Sequence, residues 1–181
     1  MPRLFVALPV PEDIAEELST LQGGVPDARW QPAENLHVTL CFCDQVQGAV
    51  MRDLEEELSD IASSRFPIAV AGVEQFSSGK QPRALVALVQ RSDQLDRLQQ
   101  KVSTVARNCG IEIEHRKFRP HVTLARFPNG AETGHHIAQF MASFSTFKAG
   151  PWLADHFALY SSRPGGNGRI YTEEAAYDLS F

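Results

Sequence analysis

The chain has 181 residues, of which 43% are hydrophobic and 22% charged, enough to bury the core of one domain or of two closely packed lobes. Its net charge of −5 excludes a protein that coats polyanions over its whole surface. No stretch approaches the ~18 consecutive apolar residues of a membrane span, and no basic start followed by an apolar run suggests a signal peptide.

In chain order, Arg3-Leu4-Phe5-Val6-Ala7-Leu8-Pro9 reads as an opening strand. Pro11-Glu12-Asp13 starts a helix that runs to about Leu21, with proline and acids where a helix N-terminus favours them. Trp30 to Phe42 reads as a lead-in and a strand. Val50, Leu54, Leu58 and Ile61 give a helical period between Val46 and Ser63. Phe66–Val73 and Arg83–Val89 read as strands flanking a Ser77-Ser78-Gly79 turn. Leu95, Leu98, Val102 and Val105 mark a helix ending near Gly110. Ile111-Glu112-Ile113-Glu114 alternates, Arg119–Arg126 reads as a strand, and Glu132–Phe144 as a helix. Phe157–Ser162 and Arg169–Leu179 form a hairpin across Pro164-Gly165-Gly166-Asn167-Gly168. Mixed strands and helices without a low-complexity linker predict one two-lobed α+β domain over residues 1–181, with an internal pseudo-repeat.

The repeat is visible as a tetrapeptide that occurs twice, His37-Val38-Thr39-Leu40 and His121-Val122-Thr123-Leu124. Strand side chains alternate between faces, so each copy presents an imidazole and a hydroxyl on one side and anchors the other side in a core. A lone strand histidine is more often structural than catalytic. A second identical copy changes that, because two histidines suffice for acid–base chemistry near neutral pH. The hydroxyls of Thr39 and Thr123 can donate to an anion on the same face.

Basic residues gather around the second copy: His115, Arg116, Lys117, Arg119, His121 and Arg126. Arg119 shares the parity of His121, whereas Arg126 has the opposite parity and reaches that face only if the strand bends near Ala125. Arg116 and Lys117 are candidates for attracting the next phosphates of a nucleic-acid strand. Phe5, Trp30 and Tyr160 are candidates for base stacking, against the commoner role of such rings in a core. Cys41 and Cys43 share the parity of His37 and Thr39, which would put them along the same cleft; small buried thiols are the commoner role. Three cysteines with no Cys-x-x-Cys spacing predict free thiols and a cytoplasmic setting. His135-His136 has no carboxylate at ligand-like spacing, so no metal site is predicted.

Leu4-Phe5-Val6-Ala7-Leu8-Pro9, Asn35-Leu36-His37-Val38-Thr39-Leu40, Arg119-Pro120-His121-Val122-Thr123-Leu124-Ala125-Arg126 and the terminal Leu159-Tyr160-Ser161-Ser162 with Tyr171 resemble the two-histidine phosphoesterase superfamily, in particular the LigT/ThpR type of RNA 2',3'-cyclic phosphodiesterase. The resemblance covers nearly the whole chain. It implies two pseudo-symmetric lobes, each an antiparallel sheet with helices, around a central cleft. It implies a cofactor-free, metal-independent monomer that opens 2',3'-cyclic phosphates at RNA 3' ends, tRNA halves among them, to 2'-phosphates, with RNA 2'–5' ligase activity in some members. Carried over, His37 is the proton donor and His121 the proton acceptor. Thr39 and Thr123 are their motif partners and, with Arg126, which the family pattern favours, and Arg119, which strand parity favours, are the expected phosphate contacts. The alternatives in view are a small cyclic or 2'–5' nucleotide as substrate, or a module that binds RNA ends without cleaving them. One departure from the family pattern is Cys41-Phe42-Cys43-Asp44 after the first motif, where an apolar residue and glycine are usual.

Overall fold

The computed structural model describes residues 1–166 and 168–180. Among them are nine strands and four α-helices: β1 (Arg3–Pro9), α1 (Glu12–Ser19), β2 (Arg29–Trp30), β3 (His37–Gln45), α2 (Gly48–Leu58), β4 (Phe66–Ser78), β5 (Gln81–Val89), α3 (Asp93–Asn108), β6 (His121–Arg126), α4 (Gly134–Ser143), β7 (Lys148–Ala154), β8 (His156–Gly165) and β9 (Gly168–Asp178). A 3-10 turn, Ala33–Asn35, precedes β3. The β8–β9 turn predicted from sequence includes Asn167, which lies outside the described residues.

The helices follow their sequence signals. α3 is capped by the Ser92 hydroxyl, which accepts from the Leu95 N–H at 3.1 Å. Asp93 and Asp96 sit in its first turn and Arg107 in its last, each complementing the helix dipole. Leu95, Leu98, Val102 and Ala106 form its buried stripe and pack on β3. Gly110, at φ +85°, follows the helix end where a left-handed residue terminates it. Leu98 is fully buried at this interface. Leu98→Ala is expected to cost about 2–5 kcal/mol, the range for truncating a buried leucine, read as a lowered urea midpoint.

The strands lie in the order β7-β4-β5-β6-β3-β1-β8-β9, with β2 also pairing β6, and every pair is antiparallel. The two lobes are the halves of this order; among the described residues the sheet joins them through the Val38–Val122 pair of β3 and β6, and α3 packs on β3 beside it. The lobes are not the two halves of the sequence. β8 and β9, from the chain's end, complete the lobe begun by β1 and β3. The Ile111–Glu114 alternation forms no strand. β7, not expected from sequence, forms the edge of the second lobe against β4.

Candidate active site

The β3–β6 junction between the lobes positions the repeated motif. With Val38 opposite Val122 and both fully buried, the residues on either side of each valine turn to the other face. His37 and Thr39 flank Val38, and His121 and Thr123 flank Val122, so both motifs turn their polar side chains to the same side of that pair, close enough for His121 to act on the titration of His37. All four side chains are half-buried, and neither threonine hydroxyl has a protein hydrogen-bond partner among the described residues.

The two imidazoles are held alike. His37 Nδ1 donates to the Asn35 carbonyl at 2.7 Å, and His121 Nδ1 donates to the Arg119 carbonyl at 2.7 Å. A carbonyl can only accept, so each Nδ1 carries the proton and each Nε2 is the atom free to exchange one. Asn35 is itself buried and fixed by donating from Nδ2 to the Arg169 carbonyl at 3.0 Å, which ties the first motif to β9. His37 stacks on Phe5 with ring centroids 4.8 Å apart and meets the edge of Tyr171 at 5.4 Å. His121 meets Phe76 edge-on at 4.7 Å.

Burial is the main force on both titrations. It lowers His37 from the ordinary histidine value of 6.5 to about 4, partly opposed by the hydrogen bond to Asn35, with the charges of Arg126 and His121 lowering it further. His121 is also lowered, first by burial and then by Arg126 and Arg119, against the raising effects of the Arg119 carbonyl and Glu74. Both shifts favour the neutral imidazole in the unliganded protein.

A bulge in each motif strand decides what else reaches this face. In β3, Val6 pairs with Cys41 but Ala7 with Thr39, so Leu40 is an extra residue. In β6, Leu85 pairs with Ala125 but Val86 with Thr123, so Leu124 is extra. Each bulge resets the alternation. Leu40 and Cys41 are both buried, as are Leu124 and Ala125. Cys41 and Cys43 thus lie in the core, 4.0 Å apart at sulfur, rather than along the cleft as simple alternation predicted. The same reset carries Arg126 onto the histidine face, where its charge acts on both rings. In β3 the equivalent position is Phe42, 54% exposed.

The other sequence candidates divide. Arg119 lies beside the site but is engaged: it pairs with the Glu74 carboxylate and its guanidinium sits 4.8 Å from the Phe76 ring centroid. Phe5 is packed between His37 and Tyr160, only 4% exposed, which leaves no free face for a base. Trp30 alternates away from the cleft and packs on Phe140 with centroids 5.9 Å apart. Tyr160 remains accessible, lining with Phe5, His37, Tyr171, Glu12 and Glu34 a cavity of about 450 Å³. Arg116 pairs with Glu114 at 2.9 Å and lines a different cavity, of about 500 Å³, beside Gln99, Ser103 and Arg107 of α3. Asp44, at φ +57°, is turned to Arg3 at 3.8 Å. Among the described residues no group of three or more His, Cys, Asp and Glu side chains is placed to hold a metal ion, and no helix is long and apolar enough to cross a membrane.

Sequence reasoning passed over Phe76, Phe42 and Arg29. Phe76 lay past the expected end of the Phe66–Val73 strand, which the structure extends to Ser78, and Phe42 lay in a strand whose face depends on register. Arg29 lay in a two-residue strand, too short for any periodic signal.

Comparison with known proteins gives this geometry a family. The family described as the 2'-5' RNA ligase superfamily matches residues 10–166. An RNA 2',3'-cyclic phosphodiesterase of Archaeoglobus fulgidus is 27% identical over 97% of this chain and 99% of that protein. An RNA 2',3'-cyclic phosphodiesterase of Bacillus subtilis is 28% identical over 69% of this chain and 71% of that one. The crystal structure of Escherichia coli LigT in its apo form shares the fold, with a TM-score of 0.77 at 24% identity over 99% of each chain. The match spans both motif strands and most of the chain, and the chain belongs to the 2'-5' RNA ligase superfamily.

Proposed function

We propose that the protein hydrolyses RNA 2',3'-cyclic phosphate ends to 2'-phosphates by acid–base catalysis between His37 and His121, without a metal. The observation that carries this reading is the placement of two equivalently tethered imidazoles and two unpartnered threonine hydroxyls on one face about the Val38–Val122 pair. The names of the relatives supply the substrate class. All three cysteines are free, in keeping with a cytoplasmic setting, and the reading takes the protein as a monomer.

Opening a cyclic phosphodiester requires removing a proton from the attacking water and giving one to the departing ribose oxygen, in line across phosphorus. In this reading neutral His121 Nε2 takes the water's proton. His37 Nε2–H protonates the leaving 3' oxygen. The depressed pKa of His37 makes its protonated form a strong donor, and an anionic phosphate seated beside the ring restores the proton that burial removes. Thr39 and Thr123 donate to the non-bridging oxygens, whose charge grows as the fifth bond to phosphorus forms. Arg126 adds a fixed positive charge.

This assignment has a pH signature. The active form of the free enzyme carries one proton on the pair, and that form peaks between the two pKa values. Both are lowered, so kcat/KM is expected to peak below pH 6.5. The bound anion raises the pKa values of the pair, so the optimum of kcat lies at higher pH than that of kcat/KM. Arg126→Gln removes a charge that lowers both rings, and is expected to move the kcat/KM optimum upward while reducing the rate. The direct test of the function is to incubate the protein, in excess chelator, with an oligoribonucleotide ending in a 2',3'-cyclic phosphate and to identify the product. A 2'-phosphate is expected. A 3'-phosphate product reverses the leaving-group assignment, and the absence of turnover contradicts the reading.

A further inference from the structure

Four arginines of this chain are each paired with a carboxylate. Arg119 has Glu74, Arg116 has Glu114, Arg91 has Asp96 and Arg3 has Asp44. Arg29 and Arg126 differ from these four in lying side by side next to the histidine face. They are cross-strand partners in the β2–β6 pair, both exposed, and neither has a carboxylate within 4 Å among the described residues. Directly opposed strand residues share a face with Cβ atoms about 5 Å apart, and like charges there are destabilising. The alternation that turns Trp30 inward to Phe140 turns Arg29 outward beside Arg126. In a chain of net charge −5, two adjacent guanidiniums without a counterion make a site for an anion with several acceptor oxygens.

The position within the cleft narrows which anion. The bulge at Leu124 turns Arg126 to the face of His121 and Thr123, where its charge acts on both histidines and would meet a phosphate held between them. Arg29 is one strand farther from them, on the edge where β2 replaces β3 as the neighbour of β6. A group that touches Arg29 while the cyclic phosphate lies between the histidines belongs to the next position along the strand. We propose that Arg29 is a positioning residue that binds the phosphodiester on the 5' side of the terminal nucleotide, and so directs the enzyme to oligonucleotide ends over free cyclic nucleotides. This inference rests on the cyclic phosphodiesterase reading above.

The test compares three substrates: a nucleoside 2',3'-cyclic phosphate, a dinucleotide with the same cyclic end, and that dinucleotide with an uncharged methylphosphonate linkage. For the wild type, kcat/KM is expected to be roughly tenfold higher for the charged dinucleotide than for the other two, the effect of one charge-assisted phosphate contact. Arg29→Gln is expected to bring that ratio close to one, with the loss mainly in KM, and Arg29→Lys to restore part of it. For a longer oligonucleotide, Arg29→Gln is expected to lower the slope of log affinity against log salt by roughly 0.7, the single-strand value per phosphate contact. Relief of the like-charge pair is expected to leave the urea midpoint of Arg29→Gln equal to or above that of the wild type, which separates lost contact from lost fold. An unchanged ratio in Arg29→Gln, or no preference for the charged linkage in the wild type, overturns the inference while leaving the function standing. No wild-type turnover of any of the three overturns both.

Discussion

His37→Ala and His121→Ala are each expected to lower kcat/KM on a cyclic-ended oligoribonucleotide by roughly 10²–10⁴-fold, the span for losing a positioned general acid or base. The two losses arise from one reaction coordinate, since the water's proton and the leaving group's proton move in the same displacement. The double variant is therefore expected to fall little below the weaker single variant, because groups that act as a unit are not additive. Each ring is also part of the packing: His37 rests on Phe5 and His121 against Phe76. The comparison is made with His→Asn variants as well, which leave a hydrogen-bonding side chain near the Asn35 and Arg119 carbonyls. Single-turnover rates, with urea midpoints measured alongside, separate chemistry from folding. A substitution of either histidine that leaves the single-turnover rate within a few-fold of the wild type contradicts the assignment.

Thr39→Val and Thr123→Val are each expected to lower kcat by roughly 10²–10³-fold, the cost of removing one preorganised donor to a developing charge. The physical reason lies in what the hydroxyls do without substrate. Neither has a protein partner among the described residues, and both are half-buried on the face that carries the imidazoles. Valine keeps the branched shape and removes the donor, so the folded protein loses no internal hydrogen bond. The loss is expected in kcat more than in KM, because the phosphate charge grows between ground state and transition state. A rise in KM with kcat unchanged would place the threonines in ground-state binding alone.

How much of this was legible in the sequence depends on which physical rule governs each element. The two motif strands follow from alternation and repetition, and α3 from its apolar period, Ser92 and Gly110. β7 escaped because Gly150-Pro151 interrupts its pattern; an edge strand tolerates a proline that a central strand would not. Ile111–Glu114 carries the alternation of a strand but finds no partner to pair with, and pattern alone cannot supply one. Which strands make up each lobe is not legible in the sequence, because sheet order is set by packing and the β8–β9 hairpin returns to the first lobe.

Within the site, the histidines and threonines follow from a period of two, and everything after the motif leucines does not. The bulges at Leu40 and Leu124 shift that period by one residue. They bury Cys41 and Cys43, which alternation had turned toward the cleft, and bring Arg126 to a face that alternation had denied it. Arg119, on the favourable parity, is instead held by Glu74, a partner distant in sequence. Arg29 and Arg126 meet through a two-residue strand. A strand that short leaves no periodic trace, so this pair of exposed positive charges could be recognised only once the strands were paired.

The account stands on two imidazoles, each protonated at Nδ1, that share one phosphate through Nε2. ¹⁵N-histidine NMR of the whole protein, titrated in pH without ligand and with a nucleoside 2'-phosphate, tests this most directly. The predicted result is an Nδ1–H tautomer for both His37 and His121, pKa values below 6.5 in the free protein, and ligand-induced shifts at both Nε2 atoms with a rise in the pKa values of the pair. An Nε2–H tautomer for either ring, or a ligand that perturbs one histidine and leaves the other unmoved, would contradict it.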